Sequence, residues 1–164
     1  MKKKTDPEDV KKLEKAEIIL QNIRNFCAYQ ERNIPEIEEK LKKWMVDDDK
    51  IPEIIHQLKE ENYLDEFRYA RLYTSGKLRI KKWGKKKIEF ELRKKGLPAQ
   101  AIEEGLSAID EDEYREILTS LILEKNKEIK GSKSLNNRQK IINFVLNKGF
   151  EIDLILNIIK QLKF

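Results

Sequence analysis

The chain has 164 residues, of which 39% are hydrophobic and 40% charged, with a formal net charge of +5. This supplies modest cores rather than one large one, and high charge with only six glycines and four prolines suits helices with solvated outer faces. A single cysteine, Cys27, excludes an internal disulfide, the basic start Met1–Thr5 is followed by no apolar run, and no stretch is long enough to span a membrane, so a cytoplasmic protein is expected.

Residues 1–13 read as a flexible basic N-terminus, and residues 14–64 as a first three-helix repeat. Its leading helix is expected at Glu14–Tyr29, with Ile18, Ile19, Ile23, Phe26 and Cys27 inward. Asn33 is the expected N-cap of a second helix, with Glu36 completing a capping box. That helix carries Ile37 and Leu41 on one face, and Val46 plugs the turn after it. Ile51, Ile55 and Leu58 mark a third helix. Pro52 predicts a late start for it, with Asp49 or a neighbour as cap.

A second repeat is expected at 65–109, led by a helix over Asp65–Ile80 with Phe67, Ala70 and either Tyr73 or Thr74 inward. Adding 51 to the six apolar positions of the first copy gives Ile88, Leu92, Leu97, Ile102, Leu106 and Ile109. A third repeat spans 110–164, led by Glu111–Glu128 with Tyr114, Leu118, Leu121 and Ile122 inward and followed by a loop at 131–134. Adding a further 53 gives Ile141, Val145, Phe150, Ile155, Ile159 and Leu162, so every position is apolar in every copy. Gly96 and Gly149 precede the plugging residue in the second and third copies, as a left-handed helix end requires. Met45 stands there in the first copy and predicts a looser or shifted turn, and Pro98 opens the helix after the second. No strand is expected.

Catalytic chemistry is missing from the pattern. His56 is the only histidine and, with one cysteine, has no metal-binding companions. Cys27 reads as a small core residue. The carboxylate pairs Glu38-Glu39, Glu60-Glu61 and Glu103-Glu104 sit on charged helical faces, and no phosphate loop occurs. Charge is concentrated instead. Residues 77–95 hold ten basic side chains against Glu89 and Glu91, a surplus of eight that exceeds the charge of the whole chain. Asp47-Asp48-Asp49 and the run from Asp110 to Glu113 offset it elsewhere. Lys86, Phe90 and Arg93 fall opposite the Ile88/Leu92 stripe, and Trp83-Gly84 separates two helices. A basic face with aromatics fits either a nucleic-acid backbone or an acidic protein groove; for Trp83 and Phe90 packing between repeats is the preferred expectation, and for the lysines a binding role. Like charges this close cost stability unless a partner neutralises them.

The stretch Tyr63-Leu64-Asp65-Glu66-Phe67-Arg68-Tyr69-Ala70-Arg71-Leu72-Tyr73 resembles the most characteristic segment of the RecX regulatory proteins, which modulate the RecA recombinase. Trp83-Gly84-Lys85-Lys86-Lys87-Ile88, then Glu91-Leu92-Arg93-Lys94-Lys95-Gly96, is similar to that family's linker and following helix, and Ile102 to Leu106 continue it. Arg138 and Val145-Leu146-Asn147-Lys148-Gly149-Phe150 are similar to its last motif. The resemblance covers roughly 14–162 and is strongest at 63–106. The sequence departs in carrying Trp83-Gly84 where Gly-Pro is common, and in lacking the first turn glycine.

The resemblance implies an all-α fold of tandem three-helix repeats forming an elongated, curved body. It also implies binding in the groove of the RecA–single-stranded DNA filament and restraint of ATP hydrolysis and strand exchange, with effects on recombination, DNA repair and the SOS response. Some members also bind DNA. The residues expected to meet filament or DNA are Arg68, Arg71, Lys77, Arg79, Lys81, Lys82, Lys85, Lys86, Lys87, Arg93 and Lys94. Those expected to serve the fold are Asp65, Tyr69, Ala70, Gly84, Gly96 and Gly149. A monomer with no enzymatic activity, metal or cofactor is expected. The competing readings are a helix-turn-helix protein acting on duplex DNA without RecA, opposed by Glu103 and Glu104 on the would-be recognition helix, and a structural adaptor with an incidental basic face.

Overall fold

The computed structural model describes residues 7–129 and 135–163, so the expected loop at 131–134 lies outside them. The described residues form nine helices: α1 (Pro7–Tyr29), α2 (Ile34–Lys43), α3 (Ile51–Glu60), α4 (Glu66–Lys81), α5 (Lys85–Lys94), α6 (Ala99–Ser107), α7 (Glu111–Glu128), α8 (Leu135–Asn147) and α9 (Ile152–Gln161). They fall into repeated three-helix units. The chain divides into two compact units, the first ending at Tyr69 and the second starting at Ala70, within α4.

The repeated apolar positions form the cores. None of the eighteen is exposed, and only Val46, Ile55, Leu106 and Leu162 are half-buried. In the first unit Ile23, Cys27, Ile37, Leu41, Ile51, Leu58 and Leu64 make one buried cluster, flanked by Ile19, Phe26, Trp44 and Val46. In the second unit α5 packs on α6, and α7, α8 and α9 pack on one another.

Local chemistry sets the helix ends. Asn33 accepts from the Glu36 amide at 2.9 Å while the Glu36 carboxylate accepts from the Asn33 amide at 2.9 Å, the expected capping box. Asp65 and Asp110 cap α4 and α7 through the amides of Arg68 and Glu113, at 3.0 and 2.8 Å. α3 does start late, at Ile51, with Pro52 in its first turn; its N-cap is Lys50, which makes no side-chain cap bond.

Three expectations need correction. α1 begins at Pro7, so residues 7–13 are helix rather than flexible tail; proline followed by Glu8 and Asp9 suits a helix start. Ile18 and Phe67 point outward, 61% and 37% exposed, because the faces carrying Ile23/Cys27 and Tyr69/Ala70 take the core side. The turn at Met45 is neither looser nor shifted. Met45 has φ +59°, beside +77° at Gly96 and +93° at Gly149. All three turns donate the same pair of backbone bonds, Met45 to Lys42 and Val46 to Leu41 matching Gly96 to Arg93 and Leu97 to Leu92. The plugging side chain fixes the turn, and methionine tolerates the strained backbone.

Arg24 of α1 grips Glu61 after α3 with two hydrogen bonds of 2.7 and 2.6 Å. Those bonds, with one from Gln57, hold the Glu61 carboxyl down at about 2.

Two outcomes follow from these contacts. Met45→Gly relieves the left-handed strain and should raise stability by roughly 0.5–1 kcal/mol in urea unfolding. Because the folded pKa of Glu61 is depressed, its stabilising contribution is full above the ordinary value of 4.5 and disappears as pH falls through about 2. Thermal melts across that window should show a smaller loss of stability in Glu61→Gln than in the parent chain.

Candidate functional site

The basic middle of the chain is organised by the junction between α4 and α5. Lys82 ends α4 in the left-handed region at φ +53°, and the Trp83 amide returns to the Lys77 carbonyl at 3.1 Å. Gly84 is the N-cap of α5 and has no side chain with which to cap. The third repeat does the capping instead. The Gly84 amide donates to the Lys148 carbonyl at 2.8 Å and the Lys86 amide to the Gly149 carbonyl at 3.1 Å. The Lys85 amide donates to the Tyr114 hydroxyl at 2.9 Å, which itself donates to Glu151 at 2.7 Å. The first N–H groups of a helix lack intrahelical partners, so this satisfies the start of α5.

Such proximity excludes side chains at two places. A Cβ on Gly84 would lie 2.3 Å from the Gly149 carbonyl carbon, and one on Gly149 would lie 2.4 Å from the Lys87 Cβ. Burial and the Glu151 bond push the Tyr114 hydroxyl far above its usual range, so it stays protonated and donating. The Tyr114 ring also packs on Phe150, with centroids 5.0 Å apart.

The expected fold-serving residues have definite contacts. Tyr69 is buried, and its hydroxyl accepts from the Asn33 side chain at 3.4 Å. Ala70 meets Gly105 of α6, where a Cβ would stand 3.0 Å from Ala70 atoms. Gly105 was not legible as a contact residue, since a glycine inside an amphipathic helix signals a close approach only once its neighbour is known.

The eleven expected binding cations separate into two sets. Six are engaged within the chain: Arg68 with Glu31, Arg71 with Glu104, Arg79 with Glu113, Lys82 with Glu124, Lys85 with Glu111 and Arg93 with Glu89. The Arg79 pair is two-pronged, at 2.7 and 3.0 Å, and its hydrogen bonds hold the Glu113 carboxyl below the usual range. Lys82 does the same to Glu124. The remaining five, Lys77, Lys81, Lys86, Lys87 and Lys94, form no ion pair among the described residues. Part of the crowding of positive charge is therefore relieved by carboxylates of α6 and α7.

Aromatic rings lie among the unpaired lysines. The Lys77 ammonium sits 5.1 Å from the Tyr73 ring and 5.0 Å from the Trp83 ring. Lys87 is 4.8 Å from Trp83, and Lys95, outside the expected set, is 5.5 Å from Tyr73. Burial, and to a lesser degree Glu91, push the Tyr73 hydroxyl up. Trp83 is half-buried, whereas Phe90 is 64% exposed between Lys86 and Lys94 and does not pack between repeats. His56 is exposed beside Glu60, and burial raises the Cys27 thiol to about 11, far from a reactive thiolate. Among the described residues no group of His, Cys, Asp and Glu is placed to hold a metal, and no helix is long and apolar enough to cross a membrane.

Gly149→Ala combines left-handed strain with a backbone clash. It should cost the second unit about 2–3 kcal/mol and speed hydrogen exchange at the Gly84 and Lys86 amides.

A family model described as RecX, second three-helix domain, matches residues 65–106. Regulatory protein RecX of Clostridium botulinum (strain Alaska E43 / Type E3) is 31% identical over 168 residues, covering 98% of this chain and 77% of that protein. Regulatory protein RecX of the C. botulinum strain Eklund 17B is 35% identical over 138 residues, which take in 80% of this chain. The chain spans 63% of the length of that relative and 40% of a Lactobacillus gasseri relative 33% identical to it. The crystal structure of RecX from Lactobacillus salivarius superposes with a TM-score of 0.81 at 28% identity, over 88% of this chain and 94% of that one.

Proposed function

We propose, because the chain belongs to the RecX family of regulatory proteins, that it binds the RecA–single-stranded DNA filament and restrains ATP hydrolysis and strand exchange. Through that restraint it modulates recombination, DNA repair and the SOS response. The observation that carries this reading is the family relation along nearly the whole chain. The basic surface of the second repeat supports it, since a filament of nucleic acid and protein is a polyanion that a lysine-rich face meets favourably. Arg68, Arg71, Lys77, Arg79, Lys81, Lys82, Lys85, Lys86, Lys87, Arg93 and Lys94 are the proposed contact set. Within it Lys81, Lys86 and Lys94 are exposed and lack an ion pair among the described residues, so they are the cations a partner gains most by neutralising.

The chain acts in this reading as a cytoplasmic monomer with no chemistry of its own. A helix-turn-helix mode on duplex DNA is disfavoured: α6, the candidate recognition helix, exposes Glu103 and Glu104 where phosphate would approach.

Purified protein added to RecA filaments on single-stranded DNA should lower the ATP hydrolysis rate. An unchanged rate at one protein per RecA protomer overturns the proposal. Lys81→Glu, Lys86→Glu and Lys94→Glu combined should weaken filament binding about ten-fold or more while leaving the melting temperature near that of the parent.

A further inference from the structure

The ring-and-lysine cluster of the second repeat differs from the cations around it. Lys95, Tyr73, Lys77, Trp83 and Lys87 alternate cation and ring, each ammonium 4.8–5.5 Å from a ring centroid. All five side chains are half-buried, so the series is held against the repeat rather than waving in solvent. One ammonium lies 5.1 and 5.0 Å from the two ring centroids, so the rings are within about 10 Å of each other. None of the three lysines has a carboxylate partner among the described residues, whereas Arg79, Lys82 and Lys85 do.

We propose that Tyr73, Trp83, Lys77, Lys87 and Lys95 form a stacking platform that binds single-stranded DNA directly, and that the strand engages this ladder rather than the ion-paired cations beside it. The inference rests on the filament reading for the source of the strand, and it assigns the strand, not the recombinase, to this face. The physical argument is exchange. A solvated lysine gains only about 0.5–1 kcal/mol by lying over a ring. A phosphate offers the ammonium a full opposite charge, and the face it leaves is then open to a base. Base–aromatic stacking needs an unpaired base, which a duplex keeps inside its own stack. An acidic peptide would use the ammonium groups but not the rings, so the alternation favours a nucleic-acid strand. Glu91, whose charge adds to burial in pushing the Tyr73 hydroxyl up, opposes the strand here.

The test uses bare strand, so that this inference and the filament reading fail separately. Trp83 and Trp44 are the only tryptophans, and Trp44→Phe leaves Trp83 as the reporter. Oligodeoxythymidine without RecA should quench it saturably. Binding by a labelled strand, followed by anisotropy across a salt series, should lose about 0.7 from the log–log slope for each of Lys77→Gln, Lys87→Gln and Lys95→Gln. Arg79→Gln, Lys82→Gln and Lys85→Gln, already neutralised by Glu113, Glu124 and Glu111, should each lower the slope less than any of the three ladder lysines. Trp83→Ala should weaken binding about ten-fold and Trp83→Phe much less. The substituted lysines and Trp83→Phe keep the test decisive if Trp83→Ala disturbs the junction.

No quenching, or a slope that follows Arg79, Lys82 and Lys85 instead, overturns the proposal. So does equal binding of duplex DNA, which marks a phosphate-only surface, or equal competition by polyglutamate, which marks a site for acidic protein. If RecA hydrolysis is restrained while bare strand is ignored, the ladder is wrong and the filament reading stands.

Discussion

The capping of α5 by the turn between α8 and α9 is the constraint from which the basic surface takes its form. Three consecutive amides, Gly84, Lys85 and Lys86, find their acceptors in the third repeat. Those bonds are possible only because the Gly84 and Gly149 backbones approach without side chains between them. Once α5 is anchored there, Trp83 is pinned at the junction, Lys87 comes beside it, and Lys85 lies over the Tyr114 ring at 4.8 Å. The ion pairs from Arg79, Lys82 and Lys85 to α7 then close the same seam from outside. Exposed pairs of this kind add little each; the buried backbone bonds are the firmer tie, because an unsatisfied amide there would cost the full desolvation of the group.

Much of the architecture is legible in the sequence because a helical core imposes a strict period. Ile37/Leu41, Ile88/Leu92 and Ile141/Val145 recur at fixed offsets since each must reach the same place in its unit, and the buried pattern follows them. Asn33 and Glu36 are readable for a similar reason: the capping box is a local device whose partners are three residues apart. Readability fails where a helix has two apolar edges. Ile18 and Phe67 continue an apolar pattern on paper and lie outside it in space, because only one edge meets a neighbour. Met45 misleads in the other direction. A missing glycine suggests an altered turn, but the half-buried plug Val46 and the bonds to Leu41 and Lys42 dictate the turn.

The basic site was half readable. Its concentration of charge needs no structure to see. The partners of that charge do: Arg71 pairs 33 residues away, Arg79 34 and Lys82 42. Such distances have no period, and they decide which cations remain for a partner molecule. Tyr73 reads as a candidate for the inward face, and Lys95 belongs to the basic run but not to the expected contact set, for the same reason. They belong to different helices and become neighbours only after α5 has been set against α4.

The glycine pair has a consequence for how a chain of this kind is inherited. Core positions occur in every repeat, but the residue 51 places before Gly84 is Asn33 and that 53 places after it is Asn137, while Met45 replaces the turn glycine in the first copy. The information that lets a repeat fold is thus copied three times, and the information for this particular joint is present once. A duplicated segment carrying only the apolar pattern would fold beside its neighbour without being fastened to it. Duplication and fastening are separable mutational events.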